Sequence, residues 1–532
     1  MLLANNRIEI DARPAPPAQA VLEAVMIGHA PTPVDGVRWD RIARDELLLA
    51  EIARLGFGRE AARLRELATL ADPGELPADA ALKALYRLPI PLYSFGQFQS
   101  LFPHAFGTDT HYHSVLGGKR AWLPLAVQDF FESSSGSSAL KLWIIRVDEK
   151  EGAAAFLPTP DANMIAPETL GAFERALLIP RAAILALPDL ERLQVPAHLE
   201  DIPRLRAENV RPVFLPCGSN TDDDHRERRY GKEIPDMPEP LAAREIIVPV
   251  ARALARNRPD MQCLLTVGFA AIPGSERPGP SREFLDCAAQ CGGINDDGSL
   301  ADASRGSLTE AARHLQLLYP YLRGPDRKLG SPSGLVAGMQ AAVSQQQGPW
   351  RSIGERPLPG RSLPWPPVNQ NEATTLRNSP GITVLLHRAG RTIVDDERMC
   401  SPCLPAVGLQ QLNAERRNND HWRSAEIMRF MGWLRRELQA LGEQMIFNID
   451  PGDPRPAVAL RSFFTRLYTL GALRGSKVEE AFTLLQRKDG DSTFIFDIEI
   501  APAFPVDLLR ITFMQDRNTA GAAVTNIEVN HG

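Results

Sequence analysis

Lysine is nearly missing from this chain: of 59 basic residues only eight are lysine, leaving 51 arginines. Arginine suits planar, bidentate protein contacts, although a GC-rich coding bias produces the same skew. The net charge of −6 and pI near 6.0 argue against a general nucleic-acid coat, which needs clustered positive charge. No run of eighteen apolar residues occurs, and the start MLLANNRIEID turns polar too early for a signal peptide. The expectation is a cytosolic chain without membrane insertion, its six cysteines kept as thiols. There is no GxxxxGK[ST] phosphate loop, and in Gly330-Ser331-Pro332-Ser333-Gly334 a proline stands where a nucleophile elbow needs serine. Cys400 and Cys403 have metal-like spacing, but the other pair, Cys287 and Cys291, is distant and differently spaced, so a surface-loop CxxC without an ion is expected. His104, His111 and His113, and Asp222 to His225, lie in polar stretches with nothing to fix ligand geometry. A hydrolase or metal-dependent enzyme is therefore the weaker reading, and no catalytic, cofactor or metal residue is assigned.

What is present is an alternation of helices and apolar strands across 532 residues, enough for several domains. Val21 to Ala30 and Leu140 to Val147 read as fully buried strands, and Leu123 to Glu132 as an amphipathic helix. Val37 to Leu88 interrupts the pattern with helices over Trp39 to Leu55 and Arg59 to Ala71. Residues 149–239 alternate helices with short strands (AAILAL, VRPVFLP). Pro240 to Arg256 reads as a helix, Cys263 to Ile272 as a buried strand and Leu308 to Leu318 as a helix. The fold class is α/β, or mixed α+β, and multi-domain.

The last hundred residues run helix (Trp422 to Leu441), strand (Met445 to Asp450), helix (Pro456 to Leu473), hairpin (Thr493 to Met514) and a detached strand (Val524 to Val529). A terminal strand joined by a loose stretch leaves backbone groups unpaired, so the edge of another copy is expected to complete it, the alternative being a return to its own sheet. The candidate arm residues are Val524, Thr525, Ile527 and Val529. At the other terminus Arg7, Ile8, Glu9 and Ile10 form a similar short strand before a Pro-rich spacer. In the helix from Trp422, Ile427, Phe430, Met431, Leu434, Leu438 and Leu441 make one buried stripe. The opposite face carries Arg429, Arg435 and Arg436 with the small Ala425 and Gly432, either a partner surface or a solvated charged face.

Five collinear stretches resemble the tail sheath family of contractile bacteriophages, R-type bacteriocins and extracellular contractile injection systems. They are VLEAVMIGHAPTP (21–33); LYSFGQFQSLF (92–102) with 124–147; GSPSGLVAGMQA (330–341) with GPWRSIGERPLPG (348–360); GITVLLHRAGRTIVD (381–395), with Gly390-Arg391-Thr392 as the family's turn; and 422–510, with Glu480-Ala481-Phe482 and the IAPAFP corner. The helical insertion and the missing Tyr-Pro-Gly-Val opening depart from the pattern. The resemblance implies a homo-oligomer of stacked six-subunit rings around an inner tube, with baseplate and tail-terminator proteins as further partners. Assembly would occur in the host cytoplasm and function in a virion tail or injection particle; the sheath of a type VI secretion system is the alternative. It also implies arms that add strands to neighbouring subunits; with a tube present, the face of Arg429, Gly432, Arg435 and Arg436 is expected to touch that tube, the alternative being a solvated charged face. The expected layout is an N-terminal arm (1–20), core (21–36 and 89–148), helical insertion (37–88), outer lobe (149–239), further core (240–380), tube-facing domain (381–515) and C-terminal arm (516–532).

Overall fold

The computed structural model describes residues 22–70, 77–108, 114, 116–133, 140–160, 162–197, 199, 240–273, 275, 277–291, 311–324, 329–360, 362–378, 380–400, 423–445, 454–489, 493–503, 508–516 and 523–530. Its centre is an eight-stranded sheet. The strands in chain order are β1 (Glu23–Gly28), β2 (Pro89–Leu92), β3 (Leu142–Arg146), β4 (Ala182–Ala186), β5 (Gln262–Thr266), β6 (Leu315–Tyr319), β7 (Ile382–Arg388) and β8 (Arg391–Val394). Their spatial order is β8-β7-β6-β5-β4-β1-β3-β2, parallel except for the antiparallel edges β8 and β2. A parallel sheet must be covered on both faces, which is why β1, β3 and β4 read as unbroken apolar runs and are buried throughout.

Alternate residues of the strands feed two cores. Ala24, Met26, Leu142, Ile144, Ile184 and Leu264 join one layer with α6 (Leu123–Ser133) and α11 (Ser333–Gln347). Val25, Ile27, Ile145, Leu185, Cys263 and Leu317 join the other, with α7 (Ala172–Leu177), α8 (Pro188–Leu193), α9 (Ala243–Asn257), α10 (Arg282–Cys291) and α12 (Gln370–Asn378). The helices of 37–88 are α1 (Trp39–Ala43), α2 (Glu46–Ile52), α3 (Gly58–Thr69) and α4 (Pro77–Lys83); Ile42, Leu49, Ile52 and Leu64 are buried in the first core beside α5 (Phe95–Leu101). Arg63 holds Asp79 in a fork at 3.1 and 2.9 Å, closing α3 onto α4.

Three expectations need correction. Leu315–Tyr319 is a strand rather than the end of a helix. Leu315, Leu317 and Tyr319 enter one core and Leu318 the other, and a short run buried on both faces has the same apolar signature as a buried helix. Residues 149–199 are not an outer lobe, because β4 lies at the middle of the sheet between β1 and β5. The boundary at 381 also fails: β7 pairs in parallel with β6, so 382–394 is core. The proposed strands at 210–216 and 446–450 lie outside the described residues.

Beyond the sheet, α13 (Ala425–Met445) and α14 (Arg455–Thr469) precede a four-stranded antiparallel sheet of β9 (Phe482–Asp489), β10 (Thr493–Ile500), β11 (Leu508–Asp516) and β12 (Ala523–Asn530), in that order. Its inner face, including Phe482, Phe496, Ile498, Ile500 and Ile511, packs on Leu460, Phe464 and Leu467 of α14. This module shares one apolar cluster with the first layer of the main body.

Candidate functional site

In open parallel sheets, ligands bind where the strand order reverses, outside the carboxyl ends of the strands. Here that point lies between β1 and β4, and a side chain of the protein fills it. The buried Asp189 carboxylate accepts hydrogen bonds from the backbone N–H of His29 (2.8 Å), Trp122 (2.9 Å) and Leu123 (3.0 Å), so it occupies the anion-binding start of α6. The Arg192 guanidinium sits 2.8 Å from its other side and reaches the His29 ring at 2.8 Å. Gly28 must lack a side chain, since a Cβ would meet Leu123 Cβ at 2.5 Å and Asp189 Oδ2 at 2.6 Å. The crevice is a packed joint between β1, α6 and α8.

The second notable site is the seam of α13. The stripe of Ile427, Phe430, Met431, Leu434 and Leu438 is buried as its spacing requires, with Leu441 partly so. The opposite face is covered too. Arg429 donates to both oxygens of Glu397, at 2.6 and 2.9 Å, and to the Arg351 carbonyl at 3.2 Å. Glu397 also accepts from Gln340 Nε2 and the Ile353 N–H, each at 2.7 Å. From Gln340 the chain continues to Gln316 (2.8 Å) and on to Thr383 (3.0 Å), with Gln262 donating to Gln340 at 2.9 Å. Burial alone would raise the Glu397 acid, but the Arg429 guanidinium outweighs it and holds the carboxyl below its ordinary value. Seven residues along the helix, Arg436 donates to the Asp260 carbonyl (2.6 Å) and carboxylate (3.0 Å), and Arg258 grips the same carboxylate at 2.9 Å. Despite burial, these two guanidiniums hold the Asp260 acid near 2. Gly432 makes the approach possible, because a Cβ there would overlap the backbone of Asp260.

At the far end of the module, β9 pairs only with β10, which leaves its other edge open among the described residues. Leu485 on this strand is 64% exposed, and Arg487 bridges across to Asp497.

This architecture recurs in solved structures. A chain of the anti-feeding prophage baseplate in its contracted state matches over 95% of this chain and 96% of its own, with TM-score 0.50 and 13% identity. A chain of the anti-feeding prophage helical sheath in its contracted state matches over 95% and 97%, with TM-score 0.46 and 15% identity. A chain of the PVC extracellular contractile injection system sheath complex matches over 78% and 83%, with TM-score 0.41 and 14% identity. The chain shares the fold of that baseplate chain. No family model matches the sequence, and no curated protein does.

The residues expected to face a tube do not form a free surface. Arg429 is buried in the ion pair with Glu397, Gly432 and Arg436 are pressed against Asp260, and Arg435 is half-buried. The small-plus-arginine pattern is an intramolecular seam, since the helix is covered on both sides. The terminal strand is corrected as well. Val524, Ile527 and Val529 pair with Phe513, Ile511 and Leu509 of β11, while Thr525 falls at a register shift, so the strand returns to its own sheet. The short reach from β11 makes that edge the nearest partner. Arg7, Ile8, Glu9 and Ile10 lie outside the described residues.

Cys400 is buried rather than on a surface loop. Its thiol faces the Ala288 carbonyl at 3.6 Å, and burial pushes its acid up to about 12. Cys403, His111, His113 and 222–225 lie outside the described residues, among which no group of three or more His, Cys, Asp or Glu side chains could hold a metal. No helix among the described residues is long and apolar enough to cross a membrane. The residues that sequence reasoning missed, Asp189, Glu397, Asp260 and Gln340, come from four separate segments; Gln340 alone stands out as a polar residue within an apolar run, while Glu397 and Asp260 lie among other charged residues and give no local signal.

Proposed function

We propose that this chain is the structural subunit of a contractile sheath, assembling as stacked six-subunit rings around an inner tube and driving that tube through a target envelope by contracting. The supporting observation is the whole-length fold match to a chain of a contracted particle. Its role is mechanical: the switch-point crevice is filled by Asp189, and α13 is clamped to the main body by two ion-paired arginines. Rigid units of this kind suit a lattice that moves by small body shifts at interfaces between copies. A lattice completed in an extended state and held behind a barrier stores its free energy until one end is released. The open edge of β9 is the acceptor for a strand from a neighbouring copy, and Arg7 to Ile10 supply that strand.

The test is expression of the full chain with and without its tube protein, followed by negative-stain microscopy. Helical tubes or stacked rings are expected. Discrete monomers at every concentration and with every tail component would overturn the reading. Leu485→Lys places a charge on the open strand and should reduce tube formation while the monomer melts unchanged.

A further inference from the structure

A cavity of about 540 Å³ opens between α6, the short strands Tyr321–Arg323 and Leu329–Gly330, and the turn around Gly360. Much of its wall is apolar: Trp122, Leu322, Leu329 and Leu335 are buried there, and Leu125 lies at its surface, 36% exposed. One side differs. Asp129 and Glu132, one helical turn apart on α6, both line the cavity. Glu132 is exposed and accepts from Gln128 Nε2 at 2.7 Å. The Asp129 carboxyl has no hydrogen-bond or ion-pair partner among the described residues. Asp129 is partly buried at the cavity wall, and loss of solvation there, with Glu132 adding repulsion, pushes the acid up to about 8. Arg120 is the third charged residue on the wall.

A carboxyl with no partner in an apolar wall is costly to ionise, and a cation on an apolar stem relieves that cost while covering the wall. The two acids are spaced for a planar fork donor, which bridges carboxylates better than a compact ammonium does. Arginine is also what another copy offers at its surface: Arg59 is 90% exposed and 4.0 Å from Glu168, and Arg181 is 64% exposed with a 3.3 Å contact to Glu437 that a stronger partner would replace.

We propose that this cavity takes the alkyl-guanidinium of an arginine side chain presented by a second copy of this chain. The inference rests on the sheath reading, which supplies the second copy. When the guanidinium enters, Asp129 releases its proton to solvent and the ion pair forms, so binding is proton-linked. Below about pH 8 the free site is mostly protonated and affinity falls; above it, affinity levels off.

Agmatine, an alkyl-guanidinium without a protein attached, serves as the probe in calorimetric titrations of the full chain at pH 7 and 9. Wild type should bind it about tenfold more tightly at pH 9 than at pH 7. Asp129→Asn should weaken binding at pH 9 by tenfold or more and abolish the pH dependence, with a smaller loss for Glu132→Gln. In micrographs, Asp129→Asn should raise the concentration needed for tubes at least tenfold while circular dichroism and melting stay unchanged. Absent agmatine binding, or equal binding by Asp129→Asn, would overturn the site. If both proteins form tubes equally, the second-copy source is wrong and the sheath reading survives. If wild type forms no tubes, the sheath reading falls, and the second-copy source with it, whatever agmatine does.

Discussion

Arg429 holds both oxygens of the buried Glu397 carboxylate. A solvated or tube-facing arginine would tolerate replacement; one held against buried Glu397 would not. Arg429→Ala leaves the carboxylate uncompensated and should cost about 3 to 5 kcal/mol in chemical denaturation. A loss below about 1 kcal/mol would return the residue to the surface. Gly432→Ala forces a methyl into the Asp260 backbone and should cost about 1 to 3 kcal/mol. The pH response has two opposing parts. Burial, with Glu397 adding, raises the Glu426 acid from 4.5 to about 7, so the fold holds a proton that the unfolded chain releases. Its contribution therefore lowers stability as pH rises from about 4.5 to 7. Glu397, whose acid is lowered, contributes stability above its ordinary value that is lost as pH falls through the folded one. Glu426→Gln should raise the urea midpoint at pH 8 and leave it nearly unchanged at pH 4.5. An equal gain at both pH values would show that ionisation of Glu426 is not the cause.

At the scale of elements, the long apolar helices and two-sided strands were legible because their periodicity is local: Leu123–Ser133, Leu142–Arg146, Ala243–Asn257 and Arg455–Thr469 lie close to where their spacing puts them. Leu315–Tyr319 was not, since five residues carry too little periodicity to separate strand from helix. The pairing of β12 was also out of reach of local pattern. A strand at a chain end pairs with whichever edge is near, and only the register with β11 identifies it. Deleting residues 521–532 should therefore expose the β11 edge. Hydrogen exchange is expected to lose protection at Leu508–Asp516 while β1, β4 and β5 remain protected. Unchanged protection of β11 would mean that β12 does not cover it.

For the whole molecule, two-sided burial of β1 and β3 indicated a layered α/β body from the sequence, and the stripe from Ile427 to Leu438 indicated a buried helix face. Domain limits at 149 and 381 were misplaced because a parallel sheet takes neighbouring strands from distant segments, and no local signal records which crossover lands in the middle. If the main sheet, α13 and the C-terminal sheet form one body through a shared core, thermal unfolding of the full chain should proceed as one dominant transition, and Arg429→Ala should split it by releasing the module first. A single transition in that variant would show that apolar packing alone couples them. The sequence by itself determined the long helices and most of the buried strands with their apolar faces, since these follow from side-chain period and burial within one segment. Only the tertiary structure decided that Asp189 fills the crevice, that Arg429 and Arg436 face inward and that the last strand returns to its own sheet. Each of those outcomes depends on a partner far away in the chain, and charge or spacing alone cannot say whether a polar side chain meets water or its counterpart.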